Sequence, residues 1–136
     1  MERANVDRWL NDYITAWKTY EPDRIGALFS EDVEYRYHPA DDPVVGRGAV
    51  VEAWLGLSDN ADASGRDEEG IYDAEYRAVA VEGDTAVAVG VSRYTEGQGG
   101  PVAEVYDNCF IMRFDSEGRC REFTEWFVKR PEPSSP

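Results

Sequence analysis

One histidine and two cysteines in 136 residues leave little from which to build a metal centre. Zinc sites draw three or four ligands from His, Cys and carboxylates, so no metal is expected. No Gly-rich dinucleotide fingerprint is present either, and no cofactor is expected. The opening "MERANVDRWL" lacks the continuous apolar run of a secretory signal, and no run elsewhere approaches the length of a membrane span. Positive charge is scarce: 14 Lys and Arg stand against 28 Asp and Glu, a formal charge of −14. Such a polyanion is repelled by phosphate backbones and anionic lipid, so neither nucleic acid nor a membrane surface is an expected partner. Solubility alone is reason enough for the charge.

What the chain has is aromatic surface. Four Trp, eight Tyr and five Phe, with 42% apolar residues overall, mark one folded domain large enough to bury a core. The domain is expected over 1–130, followed by a disordered tail, 131–136, of sequence "PEPSSP". Val6, Leu10, Tyr13, Trp17 and Tyr20 recur at helical spacing and predict an amphipathic helix over 3–19. Pro22 suits the first turn of a short second helix, 22–29. "DVEYRYHP" alternates as a strand, and "GAVVEAWLGL" reads as a third helix after the turn-rich "ADDPVVGRG". The acidic, aperiodic stretch 59–70 reads as a solvated loop. Beyond it "IYDAEYRAVAV" and "TAVAVGVSRYTE", joined by "EGD", form one hairpin. "PVAEVYDNCFIMRF" and "RCREFTEWFVKR", joined by "DSEG", form another. Helices first and a long antiparallel meander after them predict an α+β domain: three helices on a strongly curved sheet, a cone with an internal cavity.

The stretches "YITAWKTYEPDRIGALFSEDVEYRYHPADDPVVGRGAVVEAW" and "YDNCFIMRFDSEGRCREFTEW" carry a resemblance. The chain resembles the SnoaL-like and ketosteroid-isomerase-like members of the nuclear transport factor 2-like superfamily, the α+β cone. That resemblance specifies the fold well and the reaction poorly, because isomerases, cyclases, dehydratases, epoxide hydrolases and non-catalytic binders share it. It places Tyr13 at the oxyanion-hole tyrosine of ketosteroid isomerases. The proton-shuttling aspartate falls on Tyr37, beside His38, and the oxyanion aspartate falls on Phe110. Two of the three groups are therefore absent, which argues against that isomerisation mechanism. In epoxide hydrolases of the limonene type, a last-strand aspartate helps activate water, and Glu125 of "TEWF" stands at its place, with Thr124 where an arginine would be.

Strand alternation puts Glu125 on an apolar face between Phe123 and Phe127. Taking Phe114 opposite Arg119 across "DSEG", Phe110 faces Phe123, Asn108 faces Glu125 and Tyr106 faces Phe127. The same register sets Cys120 opposite Arg113 and Cys109 opposite Thr124. The two thiols are therefore expected free, in the cytoplasm. Arg93 ends the face of Val87, Val89 and Val91 and falls opposite Tyr72 or Ala74. The expected chemistry rests on Glu125 as acid or base, Asn108 and Arg93 as its orienters, and Tyr13 as a hydroxyl donor. Trp17, Tyr35, Tyr37 and Trp54 are expected to line the cavity, with Tyr72, Tyr106, Phe110 and Phe123 from the later strands. A bare ion pair of Glu125 with Arg93 is the structural alternative. His38, before Pro39 and on the opposite parity from Tyr37, reads as a solvated loop residue.

The sequence thus points to a pocket for an apolar polyketide-, terpene- or steroid-like small molecule, with or without cofactor-independent acid/base catalysis. The alternative is a non-catalytic binding or dimeric interaction domain with a vestigial pocket. Trp126, Thr124, Val128, Cys109 and Ile111 share the outer face of the last hairpin, where a homodimer contact is expected.

Overall fold

The computed structural model of the protein describes residues 1–57, 67 and 70–131. The expected loop 59–70 and tail 131–136 lie outside the described residues, except at Asp67, Gly70 and Pro131. Helix α1 (Arg3–Thr19) buries Val6, Trp9, Leu10, Tyr13 and Ala16, one stripe at three- and four-residue intervals. It begins where the Glu2 N–H donates to Asn5 Oδ1 at 2.9 Å. It ends at Tyr20, whose backbone turns left-handed (φ 51°) and whose N–H donates to the Ala16 carbonyl at 2.8 Å. Two shorter helices follow, α2 (Pro22–Ala27) and α3 (Arg47–Trp54).

Six strands form the sheet: β1 (Phe29–Arg36), β2 (Val44–Val45), β3 (Tyr72–Glu82), β4 (Thr85–Thr95), β5 (Val102–Phe114) and β6 (Cys120–Lys129). Their spatial order is β2-β1-β6-β5-β4-β3, antiparallel throughout except for the parallel β1–β6 pair. Register irregularities interrupt four of the five strand pairs. Each bulge adds bend and twist, so the sheet curves around α1 as an open cone. Asp7 Oδ1 accepts the Ala78 N–H at 2.8 Å, beside the β3 bulge, and ties the helix to that edge strand. Trp9, Tyr13, Phe29, Phe110, Phe114 and Phe123 fill the space between helix and sheet as one aromatic core. Trp9 Nε1 donates to the Leu28 carbonyl at 2.9 Å, which satisfies the one polar atom it buries.

Two expected registers are corrected. Phe114 pairs with Cys120, one residue beyond the expected partner, because Asp115 closes the turn by bonding the Glu117 and Arg119 amides and the Arg119 carbonyl. A bulge at the next step then sets Arg113 opposite Glu122. The two slips add to two residues, so Phe110 faces Glu125, Met112 faces Phe123 and Asn108 faces Phe127. An even slip preserves the faces, and Glu125 stays concave. Cys109 lies opposite Trp126, and both cysteines are free.

The second correction concerns Arg93. It stands opposite Asp73, on the convex side, with its guanidinium 3.8 Å from Glu75. The concave face of β4 is its small-residue side, Ala86, Ala88, Gly90 and Ser92, because α1 and large rings occupy the space above it. The valines and Arg93 therefore point away from the cavity.

Candidate functional site

Between α1, the end of β1 and the concave sheet lies a cavity of about 440 Å³. That volume suits a small organic ligand. Seven of the eight tyrosines line it, all but Tyr72. The strand period explains the concentration: Tyr35, Tyr76, Tyr94 and Tyr106 occupy inward positions of four different strands, and α1 adds Tyr13 and Trp17.

Glu125 is the acid at the centre of this wall. Asn108 Nδ2 donates to its Oε2 at 3.3 Å, diagonally across β5 and β6. Asn108 Oδ1 accepts from the Ser92 hydroxyl at 2.7 Å, and the Tyr76 hydroxyl lies 2.7 Å from the same Ser92 oxygen. Because the serine proton is committed to Asn108, Tyr76 must be the donor to Ser92. The result is a chain of donors, Tyr76 to Ser92 to Asn108 to Glu125, with one residue on each of four adjacent strands. A carboxylate can only accept, so the Asn108 NH₂ is the end that meets Glu125 and its Oδ1 is left for Ser92.

Burial pushes the Glu125 carboxyl up to about 7, and the Asn108 hydrogen bond only partly offsets it. The side chain is surrounded by protein yet only part-buried by exposed surface, because the open cavity leaves it a path to water. Tyr13 and Tyr35 bring their hydroxyls within 3.4 Å of one another, and both are buried. Burial, then neighbouring hydroxyls and the Glu125 charge, hold both phenols well above their ordinary range. Tyr37 is raised by burial and by Glu125. All three are neutral hydroxyls beside one carboxyl, able to donate to an oxyanion.

A second acid, Asp67, also lines the cavity. Its Oδ2 accepts from Trp17 Nε1 at 2.9 Å, and its N–H donates to the Tyr20 hydroxyl at 2.8 Å. Burial raises this carboxyl, while its bonds to Trp17 and Tyr20 hold it down. At the rim, His38 Nδ1 meets Asp41 Oδ2 at 2.9 Å and its ring lies 5.1 Å from that of Phe127. Tyr106 donates to Glu104 at 2.7 Å, and Lys129 stands 3.5 Å from Glu104.

Of the expected site residues, Glu125, Asn108, Tyr13, Trp17, Tyr35, Tyr37, Trp54 and Tyr106 are brought together around the cavity. Arg93 is not. Phe110 and Phe123 are fully buried behind the wall, Phe123 stacked under Tyr35 at 4.6 Å, and so belong to the core. Tyr72 supports the wall from behind, stacking on Trp17 at 4.3 Å and donating to the Trp17 carbonyl. His38 lines the rim because β1 ends at Arg36 and alternation no longer governs it. Tyr20, Tyr76, Ser92, Tyr94, Asp67 and Glu104 also line the cavity and were not expected there. The parity of β3 and β4 could have revealed Tyr76, Ser92 and Tyr94; nothing in the aperiodic 59–70 stretch marks Asp67. Among the described residues, no three His, Cys, Asp or Glu side chains are grouped to hold a metal ion. No helix among them is long and apolar enough to cross a membrane.

Residues 10–123 match the SnoaL-like domain family, and the chain belongs to that family. No curated protein is similar enough to match. Among solved structures, the fold is similar to an NTF-2-like protein of unknown function from Burkholderia xenovorans, at 14% identity and TM-score 0.65, covering 96% of this chain and 88% of that one. It is similar to an LEH-like epoxide hydrolase from M. tuberculosis, at 15% identity and TM-score 0.62, with coverage of 94% and 86%. A candidate ketosteroid isomerase from Kribbella flavida shows 16% identity and TM-score 0.62, with coverage of 98% and 85%. At these identities the likeness is one of fold, and the cone architecture is that of the nuclear transport factor 2-like superfamily.

Proposed function

We propose that the cavity binds an apolar small molecule with a polyketide-, terpene- or steroid-like skeleton, and that Glu125 exchanges a proton with it without a cofactor. The observation that carries this reading is Glu125 itself, a carboxyl pushed up to about 7 with a single hydrogen-bond partner among the described residues. A group with a pKa near the working pH holds and releases a proton with comparable ease, as an acid or base must. Asn108 orients the carboxylate, and Tyr13 is the proposed donor to a developing oxyanion, with Tyr35 and Tyr37 beside it. Arg93 has no part in the site. Isomerase, cyclase, dehydratase and epoxide hydrolase chemistry all fit this arrangement. The fold shared with an LEH-like epoxide hydrolase supports looking at epoxides first. We place the protein in the cytoplasm, from its two free thiols.

A panel of steroids, terpenes, polyketides and their epoxides, read first by melting temperature and then by product mass, tests the proposal. A ligand at a hundredfold excess over its Kd should add about 2.7 kcal/mol of stability. Glu125→Gln, which keeps the shape and can still accept from Asn108, should bind the same ligand and lose turnover. Unchanged turnover in that variant overturns the acid/base role, and a panel without any shift overturns the ligand site.

A further inference from the structure

The charge of the cavity wall is one-sided. Three carboxylates line it, from Asp67, Glu104 and Glu125, and among the described residues no lysine or arginine does. Among the described residues only Glu104 is offset by a cation, Lys129 at the rim. The remaining lining is dominated by ten Phe, Trp and Tyr side chains. Aromatic faces carry negative potential, and a cation over them is attracted, the more so once desolvated. Glu125 and Asp67 also act on shared ground: the Tyr76 and Tyr94 hydroxyls are both raised in part by the charges of both acids. Those two rings therefore lie within the field of both acids. An anionic ligand would meet two half-buried acids with no basic side chain beside them among the described residues, whereas a cationic one would neutralise them.

We propose that the ligand's apolar skeleton carries a cationic nitrogen, an alkylammonium or quaternary ammonium centre, held among the aromatic rings between Glu125 and Asp67. This rests on the reading of the cavity as a ligand site and narrows it to one chemical class. It also selects a state of the acid: a bound cation stabilises the Glu125 carboxylate, so Glu125 serves as the base in the complex. With a quaternary probe the balance is simple. The neutral Glu125 carboxyl and the free cation give the carboxylate–cation pair and one proton released to solvent.

The groups facing Glu125 are Tyr13 from α1, Tyr35 from β1, Tyr37 just beyond that strand, Tyr76 from β3, Tyr94 from β4 and the neutral Asn108 from β5. Those tyrosines are all raised, so none competes for protons between pH 6 and 8. Asp67 lines the same cavity where it bonds Trp17 and Tyr20, and His38, Glu104 and Lys129 belong to the rim.

Three probes of one shape isolate the charge: benzyltrimethylammonium, its neutral carbon isostere neopentylbenzene, and benzylsulfonate. Binding is read from the fluorescence of Trp17 and Trp54, which line the cavity. At pH 8 the cation should bind at least tenfold more tightly than the neutral isostere, with the sulfonate weakest. Its affinity should fall about tenfold from pH 8 to pH 6, as the proton must be displaced. In Glu125→Gln that pH dependence should vanish and the preference for the cation should shrink; Asp67→Asn should also weaken the cation alone. If the neutral probe or the sulfonate binds as tightly as the cation, the charge inference is overturned and the ligand site stands. If none of the three binds, the ligand site falls with it. A cation preference that survives Glu125→Gln intact overturns the placement beside Glu125.

Discussion

A carboxyl between two phenylalanines is stable only if something holds either its proton or its charge. Among the described residues Glu125 has one neutral donor, Asn108, and no cation near it, so protonation is the cheaper route. The consequence for stability has a definite sign. The folded state keeps the proton to about 7, whereas an ordinary Glu releases it near 4.5. Between those values the folded chain binds more protons than the unfolded one, so stability falls as pH rises through that window, and the full penalty is present above it. Glu125→Gln removes the penalty. At pH 8 the variant should be more stable than the parent by about 1–3 kcal/mol, the upper figure reduced by water in the open cavity. At pH 4.5 the two should be nearly equal. Urea denaturation at both values checks this, and a variant less stable at pH 8 shows a carboxylate that the fold needs.

At the scale of elements, the donor chain across four strands depends on a glycine. The Tyr76 ring lies over Gly90 to reach Ser92, and a Cβ on Gly90 would overlap the Glu75 carbonyl oxygen and come within 2.5 Å of that ring. Gly90→Ala should therefore cost at least 1–3 kcal/mol, because backbone has to move. It should also loosen Tyr76 from Ser92. Chemical denaturation gives the first number, and tyrosine hydroxyl exchange by NMR reports the second. Gly90 also shows why some of the site was legible in the sequence and some was not. Helix α1 is plain from its apolar stripe, and the long strands from their alternation and turns, since period and turn chemistry are local. Which face of β4 turns inward is not local. The valines of its outer face read louder than Ala86, Ala88, Gly90 and Ser92, yet the small side faces the helix because the large rings need room. Bulges are equally silent, and one at Arg113 together with a longer turn moved Asn108 from opposite Glu125 to diagonal without breaking the contact. The two residues of β2, between Pro43 and Gly46, are too few to show a period at all.

For the whole molecule, the concave face is closed by α1, and the convex face keeps apolar side chains in water. Trp126, Ile111 and Val128 are 39%, 40% and 68% exposed on the outer side of the last hairpin. We propose that this face carries a homodimer contact, because apolar side chains exposed together often lie at an interface. Light scattering at micromolar protein should give twice the chain mass, and Trp126→Lys should return it to a monomer; a monomeric parent contradicts the expectation. The strong net negative charge should speed encounter with a cationic ligand and slow it with an anionic one, an effect that salt removes. The acid/base chemistry and the cation site both turn on one proton, that of Glu125. A carbon-13 NMR titration of the Glu125 side-chain carboxyl, assigned by its absence in Glu125→Gln, should show a midpoint near 7 in the unliganded protein. A midpoint at or below 4.5 contradicts it, and would make Glu125 an ordinary solvated carboxylate at a cavity wall.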